Sequence, residues 1–280
     1  MEKGIVPIVC GGLGNQMFII SAGYIVHRLN NLPLYIFNNT LSNNNHNKEK
    51  LNYKNSIFKN VGKHINIPYT DIQKLYDFKD YTYHSHTMNF GYDEWDPKIV
   101  KKGILMSSYY QYYPVLSEFE NELRSIFLSG ISDNLEKIKN DLKTCENDAF
   151  LHVRRGDYLN LSDIHYIQPI SYYYNCVDKL LKENNNIKRI FVLSDDVLWI
   201  KNEDFFKKEL FYIVEDLNEI DSLALMSLCK GGSICANSTF SWWGAFLGAY
   251  EYRNPIYVPK KWINLNKDIC NLFPKEWNKE

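Results

Sequence analysis

A chain of 280 residues that is 45% hydrophobic and 15% aromatic is long enough for two medium domains and apolar enough to fill their cores, so disorder is excluded as its general state. Its 32 basic and 33 acidic residues leave a formal net charge of −1, with no basic excess to serve nucleic acid or an anionic membrane surface. Any binding of an anion must therefore be local.

Met1 to Cys10 lacks the long apolar region and small-residue cleavage site of a signal peptide, and no apolar run approaches the ~20 residues of a membrane span. The expectation is a cytoplasmic protein without a transmembrane segment, which leaves peripheral membrane association open. Six scattered cysteines, Cys10, Cys145, Cys176, Cys229, Cys235 and Cys270, several of them inside apolar runs, read as reduced core thiols. A disulfide framework or zinc site would favour short paired spacings.

Ile5 to Cys10 predicts a strand, Gly11-Gly12-Leu13-Gly14 a glycine turn, and the spacing of Met17, Phe18, Ala22, Ile25, Val26 and Leu29 a helix. Leu34 to Phe37 predicts the next strand. Asn38 to Asn55, dominated by Asn, Lys and Ser, predicts an exposed loop. Between Ile57 and Ile104 the periodicity is weak, with Tyr81, Tyr83, His84, His86, Phe90, Tyr92 and Trp95 expected mostly in the core or behind a sugar-binding surface. Ile104 to Met106 reads as a strand. Val115 to Leu128 reads as a helix with Ser117 and Glu120 spaced as a capping box, and Asn134 to Leu142 as a second helix.

A domain boundary is expected within Thr144 to Asp148. Beyond it strands and helices alternate: strands at Ala149–Val153, Arg189–Leu193, Phe211–Val214, Ser233–Ala236 and Pro255–Val258, with helices at Ser171–Lys182, Val197–Lys201, Ile220–Cys229 and Phe240–Tyr250. That alternation predicts a parallel sheet covered on both faces, Rossmann-like. Lys260 to Glu280 is expected to end the chain as a helix packed back on the body.

Four stretches at strand ends carry the chemistry, and three of them would converge on one edge of the second sheet. Gly11 to Phe18 brings free helix-start amides toward an anion, or serves close packing alone. His152-Val153-Arg154-Arg155-Gly156-Asp157 places two guanidinium groups, whose planar forks match phosphate oxygens, where a strand ends; a surface turn paired with Asp157 is the alternative. Ser194-Asp195-Asp196 offers carboxylates to a ribose or a purine, or caps the helix that follows. In Asn237-Ser238-Thr239-Phe240-Ser241-Trp242-Trp243-Gly244, the hydroxyls and amides of a helix start suit a phosphate, while the two tryptophans favour the core. No Asp-x-Asp pair with a spaced third ligand supports a metal.

In order and spacing, Gly-Gly-Leu-Gly-Asn-Gln-Met-Phe, His-Val-Arg-Arg-Gly-Asp-Tyr, Ser-Asp-Asp and Asn-Ser-Thr-Phe-Ser-Trp-Trp-Gly closely resemble the α1,2-fucosyltransferase family, from about Val6 to Pro259. The likeness is greatest to its compact, anchor-free members. It implies an α/β, GT-B-like fold of two facing Rossmann-like domains, residues 1–146 on the acceptor side and residues 147–280 binding GDP-fucose. It also implies inversion at the anomeric carbon, no metal or other cofactor, and a galactose-terminated glycan as acceptor. The resemblance places the grip on the β-phosphate on Arg154, an orienting role for the arginines on Asp157, and diphosphate and fucose contacts on Ser238, Thr239 and Phe240. Asn15 falls near the reacting centre, with Gly12 and Gly14 in the same loop; His152 and Asp195 fall to guanosine, with Arg155, Ser194 and Asn237 beside the donor. Candidates for the base are Asp93, Glu94, Asp96 and Glu118. Tyr112-Tyr113-Pro114 departs from the family's usual charged segment and leaves the acceptor open. Separate alternatives are transfer of another nucleotide sugar and binding without turnover.

Overall fold

A computed structural model of the protein describes residues 3–36, 53–61, 82–84, 92–98, 103–265 and 269–280. The chain forms two compact units, Met1–Ile131 with Asp268–Pro274, and Ser132–Lys267 with Lys275–Glu280.

In the first unit, β1 (Ile5–Pro7), β2 (Thr82–His84) and β3 (Ile104–Met106) form a parallel sheet in the order β1-β3-β2, and Leu34 adds a parallel bridge to Ile5. The sheet is short because each strand contributes three residues. Helix α1 (Leu13–Asn30) follows β1 and is buried along nearly its whole first four turns, from Leu13 to Val26. Gly23 lets it lie close to β1: a Cβ there would stand 3.0 Å from the Pro7 ring. Asn31, at φ 51°, ends the helix in the left-handed region that asparagine tolerates.

The helix expected over Val115–Leu128 is broken. Tyr113–Leu116 is one turn with Pro114 at its start, Ser117–Phe119 tightens to a 3-10 turn, and only then does α2 (Glu120–Gly130) run regularly. The Ser117 hydroxyl donates back to the Pro114 carbonyl at 2.8 Å, so the capping box is not formed. Tyr53–Asn55, expected in the exposed loop, is a 3-10 turn that buries Tyr53, whereas Phe37 and residues 38–52 lie outside the described residues. So do Tyr81, His86 and Phe90. Tyr92 and Trp95 are core residues, Trp95 packing edge-on against Tyr110 at 5.0 Å.

The second unit begins with α3 (Ser132–Leu142), one helix earlier than the boundary expected at 144–148. Asn134 and Lys137 on α3 reach the buried carboxylate of Asp221 at 2.8 and 3.4 Å, which ties α3 to α6 (Glu219–Leu228). The other elements are β4 (Asp148–Val153), α4 (Ile170–Glu183), β5 (Arg189–Ser194), α5 (Val197–Asn202), β6 (Phe211–Ile213), β7 (Gly232–Ile234), α7 (Thr239–Leu247), β8 (Ile256–Val258) and β9 (Asn278–Lys279). They build a six-stranded, all-parallel sheet in the order β6-β5-β4-β7-β8-β9.

Counted from β4, that order is 3-2-1-4-5-6, the doubly wound arrangement in which the chain reverses direction between strands 1 and 4. One sheet face, from Ala149, Leu151, Val153, Ile190, Val192 and Ile234, packs on Tyr172, Tyr173, Cys176, Val177 and Leu180 of α4. Phe150 and His152 point to the other face, as the alternation along a strand requires. Trp242 and Trp243 of α7 are completely buried, in the core as their apolar setting suggests.

The helix expected at the end of the chain is absent among the described residues of that stretch, which hold the 3-10 turn Cys270–Leu272 and strand β9. Pro274 interrupts any helix there, and the last residues instead find backbone partners on β8 and bury Trp277 against Trp242 at 5.3 Å. Of the six free cysteines, Cys176, Cys229 and Cys235 are core thiols as expected, but Cys10, Cys145 and Cys270 are exposed.

Candidate active site

The switch point of the second sheet lies between β4 and β7, and the loops leaving those strands and β5 carry the His152–Asp157, Ser194–Asp196 and Asn237–Phe240 stretches. Three of the four sequence motifs therefore meet at one sheet edge, where a parallel α/β sheet binds ligands.

Arg154 is the first residue past β4. Its guanidinium pairs with Asp157 at 2.7 Å and Asp195 at 3.2 Å and lies over the Tyr158 ring at 5.4 Å, with its side chain still 22% exposed. Tyr158 is itself held: its hydroxyl donates to the Asn237 carbonyl at 3.0 Å, and its ring stacks on His165 at 4.0 Å and 6°. Asp195 does two jobs, accepting from the Arg155 backbone N–H at 2.9 Å through Oδ1 while Oδ2 faces Arg154. A side chain at Gly156 would place its Cβ 2.7 Å from that Oδ2, so this turn closes only around a glycine.

Arg155 does not join Arg154 in a fork. Its Nε points to Asp196 at 3.5 Å and its guanidinium covers the Trp199 ring at 4.3 Å, because consecutive side chains leaving a strand diverge. Asp196 is also the N-cap of α5, accepting from Trp199 N–H at 3.1 Å, and Ser194 Oγ accepts from the Asp196 N–H at 3.0 Å. The capping alternative raised for this stretch thus describes Asp196, and Ser194 supports that turn. Two arginines face three carboxylates here, Asp157, Asp195 and Asp196, so the cluster carries one net negative charge before a ligand arrives.

His152 is buried on β4, with its ring edge-on to Phe240 at 5.8 Å. Burial, aided by Arg154 and opposed by Asp195, pushes its pKa down to about 4, so it is neutral at physiological pH. Its Nδ1 is buried with no hydrogen-bond partner among the described residues. Ser238 is the N-cap of α7, its hydroxyl accepting from Phe240 N–H at 3.3 Å, and Thr239 and Phe240 open the helix, half-buried. Asn237 Nδ2 donates to the Tyr166 and Trp262 carbonyls, both at 2.7 Å, while its Oδ1 is buried with no hydrogen-bond partner among the described residues.

In the first unit, the fourth motif lies where β1 ends. Gly11, at φ 78°, makes the turn, Gly12 is the N-cap of α1, and Gly14 is already inside the helix, buried. Gln16 Nε2 donates to the Gly11 carbonyl at 2.9 Å, and Gln111 Nε2 donates to Asn15 Oδ1 at 3.0 Å. Gln111 follows β3, the strand paired with β1, so both strand ends deliver to one place. The candidate bases Asp93, Glu94, Asp96 and Glu118 are exposed in this unit.

Sequence reasoning gave no individual role to Tyr158, Trp199 or Gln111, and named Asp196 only as part of the Ser194-Asp195-Asp196 stretch. Asp196 had a signal, an Asp directly before an apolar helical run; the others had none, because their partners are 44 to 96 residues away or depend on which way a ring turns. Among the described residues no three His, Cys, Asp or Glu side chains are grouped to hold a metal ion, and no helix is long and apolar enough to cross a membrane.

An Escherichia coli α-1,2-colitosyltransferase is 30% identical over 293 residues, spanning 98% of this chain and 97% of that one. The Escherichia coli O-antigen biosynthesis glycosyltransferase WbnK is 34% identical over 178 residues, 59% of this chain and 57% of its own. Among solved structures, POFUT1 in complex with GDP superposes with a TM-score of 0.52 at 13% identity, covering 91% of this chain and 98% of that one. The fucosyltransferase NodZ from Bradyrhizobium gives 0.50 at 10% identity, covering 89% and 94%. Those likenesses establish the fold, GT-B-type α/β with parallel sheets. Residues 9–279 match the family model described as glycosyl transferase family 11, so this chain, motifs and fold together, belongs to that α1,2-fucosyltransferase family and is a glycosyltransferase.

Proposed function

We propose that the enzyme transfers L-fucose from GDP-β-L-fucose, with inversion, to the 2-hydroxyl of a galactose on a glycan, with Arg154 in the place a divalent cation takes elsewhere. The observation that carries this reading is the guanidinium of Arg154, locked by Asp157 and Asp195 at the switch point of a nucleotide-binding type of sheet. A guanidinium offers five N–H donors, enough to stay oriented by two carboxylates while it meets phosphate oxygens. The α1,2 linkage is supported by the motif resemblance and by the name of the α-1,2-colitosyltransferase relative.

In the transfer, the bond from fucose C1 to the β-phosphate oxygen breaks and its electron pair leaves on GDP. The acceptor oxygen bonds to C1 from the opposite face, and its proton passes to a carboxylate, with Asp93, Glu94, Asp96 and Glu118 the first to test, or to the departing phosphate. Arg154 stabilises the charge gained by the diphosphate, and the N-terminal amides of α7, with Ser238 and Thr239, add donors of the same sign. Phe240 lies against the sugar, neutral His152 serves the guanosine, and Asp195 acts through Arg154. Asn15 acts at the reacting centre, its loop shaped by Gly12 and Gly14. Six free thiols support a reducing compartment, the cytoplasm.

The test is incubation of purified enzyme with GDP-fucose and β-galactosides, with and without EDTA, followed by linkage analysis. An α1,2-linked product formed equally in EDTA is expected, and Arg154→Ala should lower kcat ~10²-fold or more with its thermal midpoint unchanged. No product on any galactoside, strict dependence on added metal, or wild-type turnover by the Arg154 variant would overturn the reading. The relative's name favours a second donor, a colitose nucleotide, and a donor panel in the same assay separates the two.

A further inference from the structure

Tyr158 sits in the 3-10 turn Asp157–Asn160 that follows the arginine pair, and it is 8% exposed. The Arg154 guanidinium lies over its ring, 5.4 Å from the centroid, while the carboxylates of Asp157 and Asp195 hold two of the guanidinium nitrogens. The Tyr158 hydroxyl reaches across 79 residues of sequence and donates to the Asn237 carbonyl at 3.0 Å. Asn237 stands immediately before Ser238, the N-cap of α7. One side chain therefore touches both parts of the site offered to the diphosphate, the cation past β4 and the turn from which the α7 amides begin.

That side chain is itself fixed. Its ring stacks on His165 at 4.0 Å and 6°, and His165 forms an antiparallel bridge with Ile263. The Asn237 amide donates to the carbonyls of Tyr166 and Trp262, the chain neighbours of those two residues. Ring and amide thus lean on the same two segments, 165–166 and 262–263. Burial pushes the Tyr158 hydroxyl well above the ordinary phenol range, so it stays a protonated donor at neutral pH. A phenylalanine could fill the space and stack on His165; the hydroxyl is the part of Tyr158 that reaches from the β4 loop to the α7 turn.

Donors stabilise a departing diphosphate only at the spacing of its oxygens, and a misplacement of about 1 Å can cost ~10²-fold in rate. Arg154 and the α7 amides leave different strands, β4 and β7, so something must hold their spacing. We propose that Tyr158 is a positioning residue for the transfer, its hydroxyl tying the Asn237 turn to the Arg154 loop so that Arg154 and the α7 N-terminus meet one diphosphate together. This rests on the assignment of Arg154 to the β-phosphate. Tyr158 touches no phosphate in this role; it acts through the two groups it holds apart.

Tyr158→Phe keeps the ring, its stack and its contact with Arg154, and removes the tie. Steady-state kinetics with GDP-fucose and a galactoside, and calorimetric binding of GDP and of GMP, are measured for this variant, for Arg154→Ala and for the two combined, each below its thermal midpoint. Expected for Tyr158→Phe is a ~10-fold fall in kcat and ~10-fold weaker binding of GDP, with GMP, which has no β-phosphate, within about twofold of wild type. A residue that merely supports the fold would weaken both nucleotides. In the Arg154→Ala background, adding Tyr158→Phe should change kcat less than about twofold, because one end of the spacing is gone. If Arg154→Ala alone is slow but Tyr158→Phe has wild-type kcat, or GMP is weakened along with GDP, or the two losses multiply, the positioning role is overturned while the reading of Arg154 survives. Wild-type turnover by Arg154→Ala overturns both.

Discussion

A histidine sealed under Phe240 and beside a guanidinium can act only as a neutral donor or acceptor. His152 shows this in its pKa, driven down to about 4 by burial against an unfolded value of 6.5. Between those values the unfolded chain takes up a proton that the folded chain refuses, so stability is full above pH 6.5 and falls as the pH drops toward 4. Urea denaturation at pH 7, 5.5 and 4.5 should show a steeper acid loss for the wild type than for His152→Asn, which has nothing to titrate there; parallel curves would refute the assignment. The sequence singled out Arg154, Asp157 and Asp195 in two separate stretches, and the ion pairs of Arg154 with both carboxylates bring those three side chains together. It could not show that Arg155 turns to Asp196 and Trp199, because direction after a strand end depends on neighbours brought in by the fold.

At the scale of elements, β4 and β5 end against each other at Gly156, whose Cα faces the Asp195 carboxylate. That carboxylate is tied to the Arg154 guanidinium and the Arg155 N–H, so it cannot step aside cheaply. Gly156→Ala should therefore lower kcat ~10-fold or more by shifting Arg154, and cost ~1–3 kcal/mol of stability from overpacking. Kinetics and denaturant midpoints check both, and a fully active, equally stable variant would mean that the loop accommodates a side chain. Five of the six strands of the second sheet, all but β9, were legible to within a residue or two, because strands buried on both faces write continuous apolar runs. The segment before α2 was not: its apolar residues keep a helical period, yet Pro114 and the Ser117 hydroxyl draw its first turns into tighter geometry.

For the molecule as a whole, the last strand shows how much depends on distant closure. β9 pairs with β8, and Trp277 beside it is 4% exposed, packed on Trp242 and 6.0 Å from Tyr250. Trp277→Ala should cost ~3–5 kcal/mol by the usual cost of emptying a large buried aromatic site. Differential scanning calorimetry would show this as a clear drop in midpoint, and an unchanged midpoint would remove β9 and its tryptophan from the account of the fold. By itself the sequence determined the alternation of strand and helix, the parallel sheet and the four motif positions, since local periodicity and glycine placement carry that information along the chain. Only the tertiary structure decided the 3-2-1-4-5-6 strand order, the strand in place of a terminal helix, the helix that joins the second unit at Ser132, and the partnership of Gln111 with Asn15. Each of these is settled by contacts between residues far apart in sequence, whose energy no local pattern encodes.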